Sequence, residues 1–229
     1  MKTLIVYYSL EGNTDYTATR IANRLGADKL RLRPVKEFTG TGLKKFFWGG
    51  KSAMMAEKPK LEDYDVNLAK YDRIIIGFPV WASNIAPPIR TFVEEHKAQL
   101  KRKQLAAFAC QAGGGADKAL QKLKAFIGID AFELEAAFKD PKKKQSGETD
   151  KLIDGFCDIL VKQDEIAEEE LAQEWGTDLR GLRKYLTNWN YKKHVKLCAA
   201  IYVPLIAFDL TVSYFICKKI IDKLDEAER

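Results

Sequence analysis

The chain has 229 residues, 46% of them hydrophobic, which is enough to bury a full core and too apolar for a disordered protein. Its net charge of +6 arises from 38 Lys and Arg set against 32 Asp and Glu, mostly interspersed over the N-terminal two thirds. That balance reads as a solvated surface and argues against a nucleic-acid partner. The four cysteines, Cys110, Cys157, Cys198 and Cys217, form no C-x-x-C pair and no metal-type spacing with the two histidines. No metal site is therefore expected, and a reducing, cytoplasmic setting is the default.

Met1-Lys2-Thr3 leads directly into a short apolar run, without the long apolar region of an export signal. Leu4 to Tyr8 has the length and β-branching of a buried strand in a parallel sheet. A turn at Glu11-Gly12-Asn13 then opens an amphipathic helix from about Thr14 to Leu25, with Gly26 as its stop signal. Leu30 to Arg33 reads as a second strand with one wetter face. Residues 36–72 form a long connection that includes the basic and aromatic stretch Lys44-Lys45-Phe46-Phe47-Trp48-Gly49-Gly50 and is expected to hold one short helix.

Arg73 to Phe78, built around Ile74-Ile75-Ile76, is the clearest central strand. Pro87 and Pro88 suit the first turn of a helix, whose apolar face of Ile89, Phe92 and Val93 extends to about His96. Leu105 to Cys110 gives strand four, and Asp117 to Phe126 gives the next helix. Ala131 to Phe138 gives strand five, and Asp150 to Val161 a closing helix. Regular alternation of strand and helix specifies an α/β doubly wound sheet.

Three loops carry candidate chemistry. In the first, Ser9-Leu10-Glu11-Gly12-Asn13-Thr14, a helix N-terminus presents unpaired backbone amides suited to an anion, with Ser9, Asn13 and Thr14 adding side-chain hydrogen bonds. The turn contains no lysine or arginine, so it fits one phosphomonoester better than a triphosphate with magnesium. An ordinary capped helix after a strand reads the same way, and the turn alone does not separate the two.

The second loop, Pro79-Val80-Trp81-Ala82-Ser83-Asn84, places a tryptophan at the carboxyl end of the central strand. There it is poorly placed to be core and well placed to stack on a planar ligand. Covering the sheet edge is the competing role for that ring. Ser83 and Asn84 are candidate donors to ring carbonyls or a ribityl chain. The third loop, Gln111-Ala112-Gly113-Gly114-Gly115, is weak alone, but its glycines let a backbone approach a flat ring edge closely. These loops follow strands one, three and four and so converge on one sheet edge. No residue stands out as a required general acid or base, so no catalytic residue is assigned. Tyr7, Tyr8, His96 and the cysteines read as strand, core or surface positions.

On these loops, the chain from Met1 to about Val161 resembles a short-chain flavodoxin, and Trp48-Gly49-Gly50-Lys51 through Gly115 is similar to flavodoxins of anaerobic bacteria. The resemblance implies a three-layer, five-stranded parallel sheet of order 2-1-3-4-5 with FMN at the switch point between strands one and three. It implies that Ser9 to Thr14 hold the phosphate, that Pro79 to Asn84 run along the isoalloxazine with Trp81 stacking, and that Gln111 to Gly115 flank the pyrimidine. It also implies a one-electron carrier working with a redox partner protein or an NAD(P)H-linked reductase. The alternative is an NAD(P)H-dependent quinone or small-molecule reductase on the same fold. The third loop departs from many flavodoxins in lacking a tyrosine and acidic residues, which leaves the reduction potential open.

Residues 1–163 thus read as the FMN-binding domain and 164–229 as a helical extension. Ile166, Leu171, Trp175, Leu179 and Leu182 predict one or two amphipathic helices interrupted by Gly176 and Gly181. Basic residues from Arg180 to Lys196 then precede the apolar run 197–217, which contains the single charge Asp209. That pattern fits a membrane anchor facing the cytoplasm, although a carboxylate at the bilayer centre costs about 2.5 to 3.5 kcal/mol. A helix buried against the domain or a partner is the other reading, and both stay open.

Overall fold

The computed structural model describes residues 1–36, 53, 55–142 and 147–175, with side chains described up to residue 167 except at 148. Its elements alternate along the chain: β1 (Thr3–Tyr7), α1 (Asn13–Leu25), β2 (Asp28–Arg31), a 3-10 turn (Leu68–Lys70), β3 (Arg73–Pro79), α2 (Pro87–Leu100), β4 (Gln104–Gln111), α3 (Ala116–Ile127), β5 (Leu134–Lys139) and α4 (Gly147–Trp175). The strands form one parallel sheet of order β2-β1-β3-β4-β5. The doubly wound sheet read from the sequence is therefore the observed architecture. The chain divides into two compact units, Met1–Gln163 and Asp164–Arg229.

The period-two geometry of a strand sends alternate residues to opposite faces, and here both faces are covered. Ile5, Tyr7, Ile75, Ala106 and Phe108 meet Ala18 and Ile21 of α1 and Ile153, Phe156 and Leu160 of α4. Their neighbours Leu4, Val6, Ile74, Ile76 and Ala107 meet Ile89, Phe92 and Val93 of α2 and Leu120 and Leu123 of α3. β1 and β3 are buried along almost their whole length, whereas β2 is exposed at three of its four residues, as an edge strand is.

α1 and α4 are held in parallel register by a ladder four residues apart in each helix. Tyr16 Oη donates to Asp150 Oδ1 at 2.7 Å, Arg20 makes a two-pronged contact with Asp154 at 3.1 and 2.8 Å, and Arg24 Nη2 donates to Asp158 at 2.7 Å. Tyr16, Arg20, Asp150 and Asp154 are half-buried and Arg24 and Asp158 exposed, so the ladder sets alignment more than stability.

Element boundaries shift where tertiary pairing outweighs local pattern. The second strand is Asp28–Arg31, two residues earlier than the apolar alternation indicates, because β1 pairs Leu4 with Asp28 and Tyr7 with Arg31. The fifth strand is Leu134–Lys139 rather than Ala131 to Phe138, since β4 engages it only from the Ala106–Leu134 pair. α2 continues to Leu100, past His96, because Leu100 is itself buried under the sheet. α4 runs to Trp175, well beyond Val161, and includes the predicted amphipathic positions Ile166 and Leu171. The segment 197–217, the basic stretch before it, Cys198 and Cys217, and Lys44 to Gly50 lie outside the described residues. Among those described, no helix is long and apolar enough to cross a membrane.

Candidate functional site

The strands point their carboxyl ends the same way, so the loops after β1, β3 and β4 must meet at one edge. After Tyr8 the chain turns through Gly12, whose φ of 90° lies in the left-handed region, and enters α1. No side chain caps the helix from Gly12 itself. Ser9 supplies that function, because its Oγ accepts from the amides of Gly12 and Asp15, both at 3.2 Å. Its hydroxyl proton remains free to donate. The amides of Asn13 and Thr14 donate to no described group.

Thr14 is 1% exposed, and its Oγ1 makes no hydrogen bond of normal geometry among the described residues. Leaving such a group unsatisfied costs about 1 to 3 kcal/mol, and the Cys110 thiol beside it is only a weak partner. Behind the turn, Tyr7 Oη donates to Asp15 at 2.5 Å, and burial followed by that hydrogen bond pushes the phenol well above its ordinary range.

The second loop is a tight turn closed by the Asn84 amide donating to the Trp81 carbonyl at 2.9 Å. Ala82 and Ser83 both take positive φ, 49° and 54°, the arrangement of a type I′ turn normally filled by glycine or asparagine. Each such residue stores strain of about 1 to 2 kcal/mol. Lys122 of α3 fastens the turn by donating to the Ser83 carbonyl at 3.0 Å and to Asn84 Oδ1. Trp81 is only 7% exposed and packs edge-on to Tyr8, with ring centroids 5.6 Å apart. The expectation that this ring stands outside the core is thus corrected: it belongs to the core and presents its remaining surface to the cleft.

In the third loop Gln111 Oε1 accepts from the Ala116 amide at 3.0 Å, capping α3. Gly115 has φ 95°, and a Cβ there would lie 2.2 Å from Ser83 Oγ, so the second and third loops touch at that point. Gly113 and Gly114 face open space instead.

Together these loops enclose a cleft of about 180 Å³. Ser9, Leu10, Glu11, Asn13 and Thr14 line one side, Pro79, Val80 and Trp81 the floor, and Gln111, Ala112, Gly113 and Gly114 the other side. Gly12, Ala82, Ser83, Asn84 and Gly115 do not line it. They shape the loops that do, and the Asn84 side chain is already engaged, donating to the Ala82 carbonyl and accepting from Lys122.

The structure adds residues that the loop motifs do not contain. Cys110 and Asp140 line the cleft, Arg31 donates to the Ser9 carbonyl at 3.1 Å, and Lys142 reaches the turn at Gly12 and Asn13. Asp140 and Lys142 follow β5, which ends at the same edge as β4, and that adjacency was the available signal. Burial pushes the Cys110 thiol up to about 12, against smaller opposing effects of the Thr17 and Thr14 hydroxyls, so it stays protonated and inert. No cluster of His, Cys, Asp and Glu among the described residues is arranged to hold a metal ion.

A parallel sheet of this order, with a helix N-terminus, a loop tryptophan and a glycine-rich turn converging at the switch point, defines a doubly wound α/β domain with its cleft where such sheets bind ligands. Residues 2–137, more than half of the chain, match the flavodoxin family, and the chain belongs to it. Among solved structures, it is similar to a flavoprotein from Lactobacillus acidophilus NCFM crystallised in complex with FMN, at 23% identity and TM-score 0.53 over 62% of this chain and 95% of that one. Crystal structures of putative flavoproteins from Bacteroides uniformis ATCC 8492 and Bacteroides eggerthii DSM 20697 are also similar. The first shows 25% identity and TM-score 0.54 over 66% of this chain and 96% of that one. The second shows 22% identity and TM-score 0.55 over 70% and 98%. No curated protein matches the sequence.

Proposed function

We propose that this chain binds FMN in the cleft and passes electrons singly between redox partners. The observation that carries the reading is the orphaned Thr14 hydroxyl, buried beside unpaired helix-terminal amides at one end of a cleft floored by Trp81. A phosphomonoester would satisfy those donors, and Trp81 with Gln111 to Gly114 would supply the surface against which a planar ring is held.

FMN supplies a ring that accepts and releases electrons, while the protein's share is binding, exposure and electrostatics. Ser9, Asn13 and Thr14 would donate to the phosphate, and the N-terminus of α1 would add its partial positive charge. Lys122 and the Gly115–Ser83 contact hold the second loop in its strained form, so the cleft wall is set before the ligand arrives. Gly113 and Gly114 leave one edge open, which suits electron exchange with a partner protein.

That open edge also favours a second reading, in which a nicotinamide donates a hydride there and a quinone or other small acceptor leaves reduced. Stepwise reduction of the FMN-loaded chain, followed by absorbance at controlled potential, separates the two. Two resolved one-electron waves and no bleaching by NADPH without a reductase support the carrier. A single two-electron wave with rapid bleaching by NADPH supports the reductase and removes the carrier.

A further inference from the structure

We propose that Lys142, in the turn between β5 and α4, supplies the cation that the phosphate turn itself lacks, and thereby makes the site select FMN over riboflavin. This rests on the reading of the cleft as an FMN site. The sequence of the first loop contains no basic residue, so a phosphate carrying close to two negative charges would meet only amides and hydroxyls there.

The fold corrects that deficit from a distance of 129 residues. The Lys142 amide donates to Asn13 Oδ1 at 3.0 Å, which ties the β5–α4 turn to the first residue of α1. Its side chain then lies across Gly12: a Cβ built on Gly12 would stand 2.9 Å from Lys142 Nζ. No acidic partner holds that ammonium among the described residues. Thr14, with its orphaned Oγ1, lies two residues away on the same turn.

Two further details fit a role toward the ligand. Gly12 takes a positive φ of 90°, which favours glycine, and the outer part of the lysine side chain lies within 2.9 to 3.6 Å of where its Cβ would stand. Asn13, by accepting from the Lys142 backbone, keeps its amide NH₂ free to donate. Glu11 and Asp140 are the acidic groups of the cleft lining, and a nearby cation offsets their repulsion of a phosphate.

The test compares FMN with riboflavin, which lacks the phosphate, by flavin fluorescence quenching with the full chain and its Lys142→Met and Lys142→Arg variants at low and high salt. Loss of one charge-assisted contact at an exposed site predicts FMN binding about five- to tenfold weaker in Lys142→Met. Riboflavin binding should be unchanged, and the salt dependence of FMN binding should be flatter. Lys142→Arg should restore most of the affinity.

Equal losses for both flavins, or no loss for FMN, would overturn the assignment of Lys142 while leaving the cleft as an FMN site. A wild-type chain that quenches neither flavin would overturn the FMN reading, and Lys142 with it. Near-ultraviolet circular dichroism of the flavin-free variants, expected to match wild type, separates the charge effect from misfolding.

Discussion

The two ends of the sheet are built on opposite principles. At the amino end, polar groups are paired closely. Arg73, 1% exposed at the start of β3, forms a two-pronged salt bridge with Glu133 through Nε at 2.7 Å and through Nη2. Nearby, the Lys2 amide donates to Asp72, Tyr71 Oη to Asp28, and Lys103 Nζ to the Tyr71 carbonyl. At the carboxyl end stand an orphaned hydroxyl, unpaired amides and Ala82, Ser83 and Asp140 at positive φ. One end holds the fold together, and the other spends part of that stability on a preformed cleft.

Trp81 serves both purposes, since it belongs to the core and lines the cleft. Trp81→Ala should destabilise the flavin-free chain by about 3 to 5 kcal/mol in denaturant unfolding, because it empties core volume, and should also abolish tight flavin binding. Glu133→Gln should cost about 1 to 3 kcal/mol, by replacing the carboxylate that meets the buried Arg73 guanidinium with a neutral amide, and should leave flavin affinity unchanged. Gly115→Ala forces a left-handed alanine against Ser83 and should cost about 2 kcal/mol while weakening flavin binding. Ala82→Gly works in the other direction: relieving strain should raise stability by about 0.5 to 1 kcal/mol, with flavin affinity falling as the turn loosens. Gly113→Ala, with open space around it and no positive φ, should change stability by about 0.5 kcal/mol or less.

The buried thiols sharpen the picture with pH. Burial raises Cys110 from 9.0 to about 12 and Cys157 from 9.0 to about 11. Between the lower and upper values the folded chain holds protons that the unfolded chain has released, so folding stability declines as pH rises through that range. Below about pH 9 this contribution is fully present. Unfolding midpoints measured from pH 8 to 11 should fall, and Cys110→Ala should flatten the fall. Native Cys110 should resist alkylation at neutral pH.

Much of this was legible in the sequence, for local reasons. Continuous apolar runs marked β1, β3 and β4, and Gly26 closed α1 where expected. The three loops were found because each follows a readable strand. Less legible was whatever depends on partners far along the chain. β2 and β5 are edge strands whose limits are set by pairing, not by their own pattern. Lys142 is invisible to any motif of the first loop because it arrives from the far side of the sheet. Trp81 shows the limit of reading exposure from position, since a loop residue became core once Tyr8 packed against it.

We infer that the carboxyl end of this sheet is a preformed FMN site. Titration of the flavin-free full chain with FMN, followed by fluorescence quenching, tests it most directly. Saturable quenching at one flavin per chain is expected, with about tenfold weaker binding by Thr14→Val, which removes the buried hydroxyl. Absence of quenching at millimolar flavin, or a Thr14→Val variant that binds as tightly as wild type, would contradict it.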